Sequence, residues 1–342
     1  MTIFQEYLAG VEDSMQALSE NEYRGTTRRL WAPLVLAYRE TQGRTAFLNW
    51  LLTTAKLRDA GQGGTSTFES MAAVFSEVEV STSKASLQLK RSEFEDAMAG
   101  VGKDGINVAQ EWAEQVGGAI AYWPQERAGE ILRRGHLAES AGGFTAYDGK
   151  PFFASDHPVN PFALEHGTYS NIVANKPIDP SVTLDVAKAN FADVCSHLGA
   201  IKMPHGESFR ALRPRAILAP PKLATRAREV GGLAAVPVLP ADATIVDVAD
   251  AANMAGFQLG VSVPELSGFE DETTYFVACE QVGSSELGAI VHLEREPYAI
   301  QYHGRETSAE LSRRDLIEWH VTGRNKIAPG HPFLLVKVTG TE

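Results

Sequence analysis

Histidine and cysteine are the residues with which this chain could most readily do acid–base, nucleophilic or metal chemistry. Its 342 residues include nine histidines and two cysteines. Cys195 and His197 lie two positions apart on a predicted helix, which directs their side chains roughly 200° apart around the helix axis. They cannot bind one metal ion unless the helix unwinds. A packed cysteine beside a surface histidine is therefore the simpler interpretation.

A catalytic triad at Ser155, Asp156 and His157 is disfavoured, because adjacent loop residues do not place a nucleophile, a base and an orienting carboxylate in hydrogen-bonding order. We interpret His157, which precedes a proline, as part of a loop. Four histidines accompany predicted late strands without metal-ligand spacing, namely His292, His303, His320 and His331. Motifs for nucleotide binding, zinc proteolysis and serine hydrolysis are missing. The sequence predicts no enzyme, cofactor or metal site, and a hydrolase using His157 or Cys195 stays as the alternative.

One run of basic residues contains no acid. It covers residues 209–228 and comprises Arg210, Arg213, Arg215, Lys222, Arg226 and Arg228. Such a run could bind phosphate or nucleic acid, form a solvated helix face, or pair with acids of a neighbouring subunit. Because the chain has 31 basic against 43 acidic residues, a net charge of −12, we favour subunit pairing and take Arg226 as a contact candidate.

Composition excludes several classes of protein. The hydrophobic fraction is 44% and the charged fraction 22%, which is typical of a globular chain. No apolar run reaches the roughly 18–20 residues that span a bilayer. Gln5 and Glu6 occupy the place where a secretory signal needs apolar residues. Two cysteines do not make a disulfide framework, so we expect a reducing compartment.

The N-terminal part is predicted to form helices and a two-stranded arm. Residues recur at the helical period in one apolar stripe: Phe4, Leu8, Val11, Met15 and Leu18. Further helices are predicted from Arg28 and over 45–57. Strands at 78–80 and 87–89 are predicted to pair across a turn at 81–83. Charged residues of this arm are candidates for contacts between subunits, namely Glu77, Glu79, Lys84, Lys90 and Arg91. An isolated two-stranded arm is marginal in water and needs a surface to lie on.

A long helix and a hairpin follow. Apolar residues at helical spacing, including Trp112 and Trp123, predict a helix over 104–135 that Pro124 kinks. The pair Gly117-Gly118 predicts close packing against another element. Asp148 and Gly149 are predicted to form a two-residue hairpin tip, and Phe152 and Phe153 to be at least partly buried near the long helix.

The remainder mixes helices with strands. A helix over 183–197, closed by Gly199, has its apolar stripe at Leu184, Ala187, Phe191, Val194 and Leu198. A buried strand at 216–219 precedes a helix from Pro220-Pro221 through Arg228. Five strands are predicted at 274–278, 287–293, 298–302, 316–321 and 333–338. The fold class is therefore α+β.

Residues 147–158 resemble the hallmark of the Mu-like prophage major head subunit family, with the sequence YDGKPFFASDHP. The order of elements before it, the strand-then-helix step at 218–224 and the strand at 276–280 are also similar. This resemblance implies a Hong Kong 97-like capsid fold. Its parts would be an N-terminal arm (1–43), an extended loop with a flanking helix (44–90), a peripheral domain with the spine helix 104–135 (91–170), an axial domain (171–282) and late strands shared by both domains (283–342).

The resemblance implies a major capsid protein that assembles with itself into hexamers and pentamers of an icosahedral phage head. Separate scaffolding and portal proteins, a possible decoration protein and packaged DNA bound without sequence specificity would be its partners. It would be made in the bacterial cytoplasm and reside in the virion. An encapsulin-like compartment is the alternative with the same fold. Nothing around Lys56, Lys84 or Asn325 marks a reactive pair, so we predict no covalent cross-link.

Overall fold

The computed structural model describes residues 3–27, 30–51, 73–90, 92, 104–161, 164–201, 212–231, 263, 266, 269, 271–281, 288–303 and 316–340. The helices are α1 (Ile3–Thr27), α2 (Asp104–Arg134), α3 (Leu184–Ala200) and α4 (Pro221–Val230). The strands are β1 (Leu36–Glu40), β2 (Thr45–Leu51), β3 (Ala73–Glu79), β4 (Ser81–Lys90), β5 (His157–Pro158), β6 (Thr168–Tyr169), β7 (Ile172–Val173), β8 (Leu212–Leu218), β9 (Tyr275–Gln281), β10 (Ile290–His303), β11 (Leu316–Pro329) and β12 (Leu335–Val338).

The first sheet has the strand order β1-β10-β11-β4. β1 runs parallel to β10, and the other two pairs are antiparallel. Nearly every second residue of β11 is buried, including Ile317, Trp319 and Val321. This period of two means that one face of the sheet is covered, as expected for an antiparallel sheet with a single packed side.

Two helices cover this face. The spine helix α2 is confirmed over 104–134, with Pro124 inside it. α1 crosses it at Gly117, where a Cβ atom would lie only 2.3 Å from the carbonyl oxygen of Ser19. The predicted close packing is thus found at Gly117, while Gly118 faces open space. Met15 of α1 is fully buried between the spine helix and the sheet.

The second sheet has the order β7-β12-β9-β8 and packs against α3 and α4. The predicted stripe of α3 is confirmed: Ala187, Phe191, Val194 and Leu198 are buried. The Thr183 hydroxyl accepts a hydrogen bond from the Val186 N–H and so caps the helix. The strand–helix step is confirmed as β8 followed by α4.

Two of the predicted N-terminal helices are wrong. Residues 32–34 form a short 3-10 turn that leads into β1, and residues 45–51 form β2 rather than a helix flanking the loop. The run 45–51 is almost continuously apolar, so it fits the helical and the strand periods equally well. Strand pairing decides that these segments form strands, because β1 pairs with β10 and β2 pairs with β3. In each pair the partner strand is distant in sequence.

The predicted pairing of the arm is also wrong. Val78 lies opposite Ala46 of β2, while Leu87 lies opposite Trp319 of β11. The two-stranded ribbon is therefore β2–β3, and residues 81–83 belong to β4 instead of a turn. Buried Val80 is the single residue between β3 and β4, and its N–H donates to the Arg44 carbonyl at 2.9 Å.

The late strands in the structure are fewer and longer than those predicted. Those at 287–293 and 298–302 belong to one strand, β10, with register shifts between Glu294 and Ala299. The strand predicted at 316–321 continues to Pro329. A 3-10 turn, Pro332–Leu334, replaces the first part of the strand predicted at 333–338.

Candidate assembly site

The hairpin at 145–151 opens the hallmark segment. The Ala146 N–H donates to the Lys150 carbonyl at 2.8 Å, and the Gly149 N–H donates to the Ala146 carbonyl at 3.0 Å. Gly149 has a φ of 76°, whereas Asp148 is not among the described residues with positive φ. The tip is thus a three-residue loop, and the predicted two-residue turn is wrong. One left-handed residue suffices there, because the Asp148 carboxylate accepts from the Lys150 N–H at 3.1 Å.

Phe152 and Phe153 anchor the hairpin in the larger hydrophobic cluster. Both are buried, and their rings meet edge to face at 5.0 Å between centroids. The Phe153 N–H donates to the carbonyl of Gly135, directly after the spine helix, at 2.8 Å. A Cβ atom on Gly135 would lie 3.0 Å from the Phe153 ring. The predicted burial near the long helix is found.

A buried pair joins the hairpin tip to β5. His157 Nδ1 lies 2.7 Å from Asp148 Oδ2, and His157 Nε2 lies 3.2 Å from the Phe152 carbonyl oxygen. Both side chains are at most 1% exposed. The interpretation of His157 as a mere loop residue is wrong. Its partner lies nine residues earlier, and the loop brings the two together only when the hairpin has formed.

Asn171 is a central polar residue that no sequence pattern indicated. Its amide oxygen accepts from the Ala154 N–H at 2.9 Å, and its Nδ2 donates to the Phe152 carbonyl at 2.7 Å and to the Pro332 carbonyl at 3.2 Å. The side chain is fully buried. It thereby satisfies backbone groups of two separate segments, residues 152–154 and the 3-10 turn Pro332–Leu334.

The two spine tryptophans lie on different clusters. Trp112 packs against the smaller cluster, which includes Met15. Trp123 packs against the larger one, and its ring lies 6.1 Å from that of His292. Both are only partly buried. The spine helix therefore connects two packing units.

The predicted contact residues of the arm are spread over separate strands. Glu77 and Glu79 lie exposed on β3, where Glu79 pairs with Arg44 at 2.6 Å. Lys84 and Lys90 are exposed on β4, an edge of the first sheet. Arg91 lies outside the described residues. The backbone of Phe4 and Leu8 belongs to α1, and their side chains are outside the described part.

The basic run is partly neutralised within the chain. Lys222 pairs with Glu272 at 2.7 Å, and Arg226 pairs with Glu229 at 2.9 Å. Arg226 also donates to the Val182 carbonyl at 3.4 Å. Arg210 lies outside the described residues. A role of Arg226 between subunits stays a prediction.

The geometry offers little for catalysis or metal binding. Burial raises the pKa of the Cys195 thiol to about 11, which disfavours the reactive thiolate. Both ring nitrogens of His157 already face protein acceptors. Within the described ranges, no three histidine, cysteine or carboxylate side chains are grouped as a metal site would need. Asn325, considered above for a cross-link, is fully buried, and Lys56 lies outside the described residues.

Residues 40–190 match the family model described as Mu-like prophage major head subunit gpT. The match includes the ribbon, the spine helix and the whole hairpin segment. This part of the chain, somewhat less than half of it, is similar to the Mu-like prophage major head subunit family. No match was found among curated proteins. Each helix in the described ranges is too short or too polar to span a membrane.

The solved structures that are similar to this chain are capsid structures. The capsid of the native GTA particle has 12% identity and a TM-score of 0.50, with 92% of this chain and 91% of that one covered. The bacteriophage JBD30 capsid has 12% identity and a TM-score of 0.47 over 90% of this chain, and its procapsid has 15% and 0.49 over 100%. The chain spans 64% of the JBD30 capsid chain and 77% of the procapsid chain. The fold is the Hong Kong 97-like capsid fold.

Proposed function

We propose that this chain is a major head subunit, which assembles with itself into hexamers and pentamers of an icosahedral shell that encloses double-stranded DNA. The family match over residues 40–190 is the observation that supports this function most directly. It includes the ribbon β2–β3, the spine helix and the hairpin.

The two-stranded ribbon and the sheet edge support assembly on physical grounds. A two-stranded ribbon has little stability of its own, and β4 is an edge strand of its sheet within the described part of the chain, a kind of strand that can pair with another chain. A neighbouring copy would cover both. Many modest contacts of this kind, repeated by symmetry, hold a closed shell together through effective concentration.

The net charge of −12 supports DNA packaged without sequence-specific binding, because an acidic wall repels the phosphate backbone. Separate scaffolding and portal proteins, and possible decoration proteins, belong to the same proposal, as does synthesis in the bacterial cytoplasm. An encapsulin-like compartment is less well supported, because the matched family is that of a phage head.

Electron microscopy of the purified protein tests the proposal. We expect closed particles of uniform size, together with a megadalton species in size-exclusion chromatography with light scattering. The proposal would be contradicted if the protein stayed a monomer or dimer at every concentration, even when it is co-expressed with the proposed scaffolding protein. Particles filled with protein instead of nucleic acid would favour the encapsulin alternative.

A charge reversal tests the predicted contact set. We expect Lys84→Glu on the edge strand β4 to reduce the yield of closed particles severalfold without shifting the unfolding midpoint, because the side chain is exposed. Lys188→Glu, an exposed position of α3 outside the predicted set, is the matched control. Equal losses from both variants would contradict the assignment of contacts to β4.

A further inference from the structure

A cavity of about 430 Å³ lies between α1, the spine helix, β1 and β10. Three tyrosines line it, one each from α1, β1 and β10, namely Tyr23, Tyr38 and Tyr298. Tyr23 is 40% exposed and Tyr38 is 54% exposed, so both rings reach the protein surface. Tyrosine combines a large apolar ring with a polar hydroxyl and is common where proteins contact a partner. We call this space the tyrosine cavity.

One carboxylate in the tyrosine cavity has no cation beside it. Glu294 lines the cavity and accepts a hydrogen bond from the Tyr38 hydroxyl. The basic residues at neighbouring positions, Arg295 and Arg324, form their ion pairs with Glu296 instead. Within the described part of the chain, the charge of Glu294 is therefore not paired.

The other titratable groups do not neutralise this charge. Glu20 on the α1 side of the cavity lies 3.8 Å from Arg24, and both side chains are more than half exposed, so this pair is loose. Burial lowers the pKa of His292, which leaves its ring uncharged near neutral pH. The cavity thus has two carboxylates against one guanidinium group.

The spine helix adds a backbone acceptor. Pro124 has no N–H group, so the carbonyl of Ile120 lacks its usual helical partner, and both residues line the cavity. Tyrosine rings attract cations to their faces. Carboxylates and carbonyl groups accept hydrogen bonds, and they bind most strongly to charged donors. The ligand that complements these walls is therefore an ammonium or guanidinium group.

We propose that the tyrosine cavity binds an arginine or lysine side chain from a second copy of this chain. The inference rests on the proposed function, because a shell places copies side by side. The charged end would lie near Glu294, and the aliphatic stem would pack against Tyr23 and Tyr38 at the entrance. The chain offers suitable cations on its surface. Lys84, already a predicted contact residue, is exposed and forms no ion pair with any described residue.

Photo-cross-linking in assembled particles tests the occupant. Tyr38 is replaced by an amino acid that carries a benzophenone group, and Tyr122, an exposed tyrosine of the spine helix outside the cavity, is replaced in the matched control. From position 38 we expect a covalent dimer of the chain, with the probe attached within two residues of an arginine or lysine, and from position 122 a different attachment site. Attachment only within the same chain, or to another protein, would overturn the proposal.

Removal of one charge tests the chemistry. We expect Glu294→Gln to raise severalfold the subunit concentration at which half of the protein is assembled, and this difference should shrink in high salt. Glu126→Gln, which removes an exposed carboxylate of the spine helix outside the cavity, is the control and should assemble like the wild type. Unfolding midpoints of the dissociated subunits separate assembly from folding.

The outcomes distinguish this inference from the proposed function. If the wild-type chain forms no particles under any condition, both fail. If particles form, but Glu294→Gln assembles like Glu126→Gln and the probe at position 38 reaches no second copy, the cavity does not bind a neighbouring copy and the proposed function stands.

Discussion

The two hydrophobic clusters of the molecule are built in different ways. The larger one lies beneath the hairpin and buries whole aromatic rings, among them Phe152 and Phe276. Asn171 forms hydrogen bonds with the polar backbone groups beside it. The smaller one lies between α1, the spine helix and the first sheet. There Met15 packs with the small residues Ala109 and Ala113 of the spine helix and with the fully buried Trp319 of β11.

In the described part of the chain, the smaller cluster has a larger share of partly buried side chains than the larger one. Val11, Leu18 and Trp112 border the smaller cluster and are only partly buried. α1 contacts the spine helix at Gly117 and places Met15 between that helix and the first sheet. In the proposed shell, neighbouring copies would cover what the chain leaves open.

Removing a ring from the larger cluster should have the largest effect. We expect Phe152→Ala to lower the free energy of unfolding by about 3–5 kcal/mol, because the fully buried ring leaves a cavity. Denaturant unfolding followed by fluorescence measures this change. Phe152→Leu is the control and should cost less. A change within about 0.5 kcal/mol for Phe152→Ala, the range of surface substitutions, would show that this cluster does not carry the fold.

Truncation in the smaller cluster should act locally. Met15→Ala should cost about 2–5 kcal/mol of local stability, because the side chain is fully buried. We expect faster proteolysis within α1 and unchanged hydrogen exchange at 144–158. Asp13→Ala, an exposed neighbour in α1, is the control. If Met15→Ala also exposed the hairpin segment, the two clusters would be one cooperative unit.

The adjacent glycines of the spine helix should respond with opposite signs. Gly117→Ala places a methyl group against the Ser19 backbone and should destabilise the contact with α1 by about 1–3 kcal/mol. Gly118→Ala faces open space and should stabilise the helix by up to about 1 kcal/mol. Thermal unfolding of both variants decides the matter. Equal shifts would mean that α1 does not approach the spine helix at Gly117.

Acid should weaken the larger cluster through His331. Burial, and secondarily Arg39, lower the pKa of this histidine to about 3. Below about pH 6.5 the unfolded chain therefore binds a proton at this histidine, whereas the folded chain does not bind it until about pH 3. Between these two pH values, the free energy of unfolding falls by about 1.4 kcal/mol per pH unit. In denaturant titrations at several pH values, His331→Phe should show a flatter acid dependence. An unchanged slope would assign the acid sensitivity to other groups.

Much of the larger unit could be predicted from the sequence, because its local signals agree with its tertiary contacts. The stripe of α3 and the burial of Phe152 are examples. β2 could not be predicted, because its apolar run fits both the helical and the strand period and its partner β3 begins more than twenty positions later. The contacts of Asn171 and the Asp148–His157 pair had no local signal, because each forms only after distant segments meet.

The one-residue junction at Val80 has a mechanical consequence. Since β3 passes into β4 with no flexible linker, and β4 is hydrogen-bonded to β11 along its length, the ribbon has no slack relative to the first sheet. Any force that displaces the ribbon must twist that sheet or break its ladder. The ribbon therefore acts as a lever arm, and force on it is transmitted through the first sheet to the spine helix that packs on that sheet.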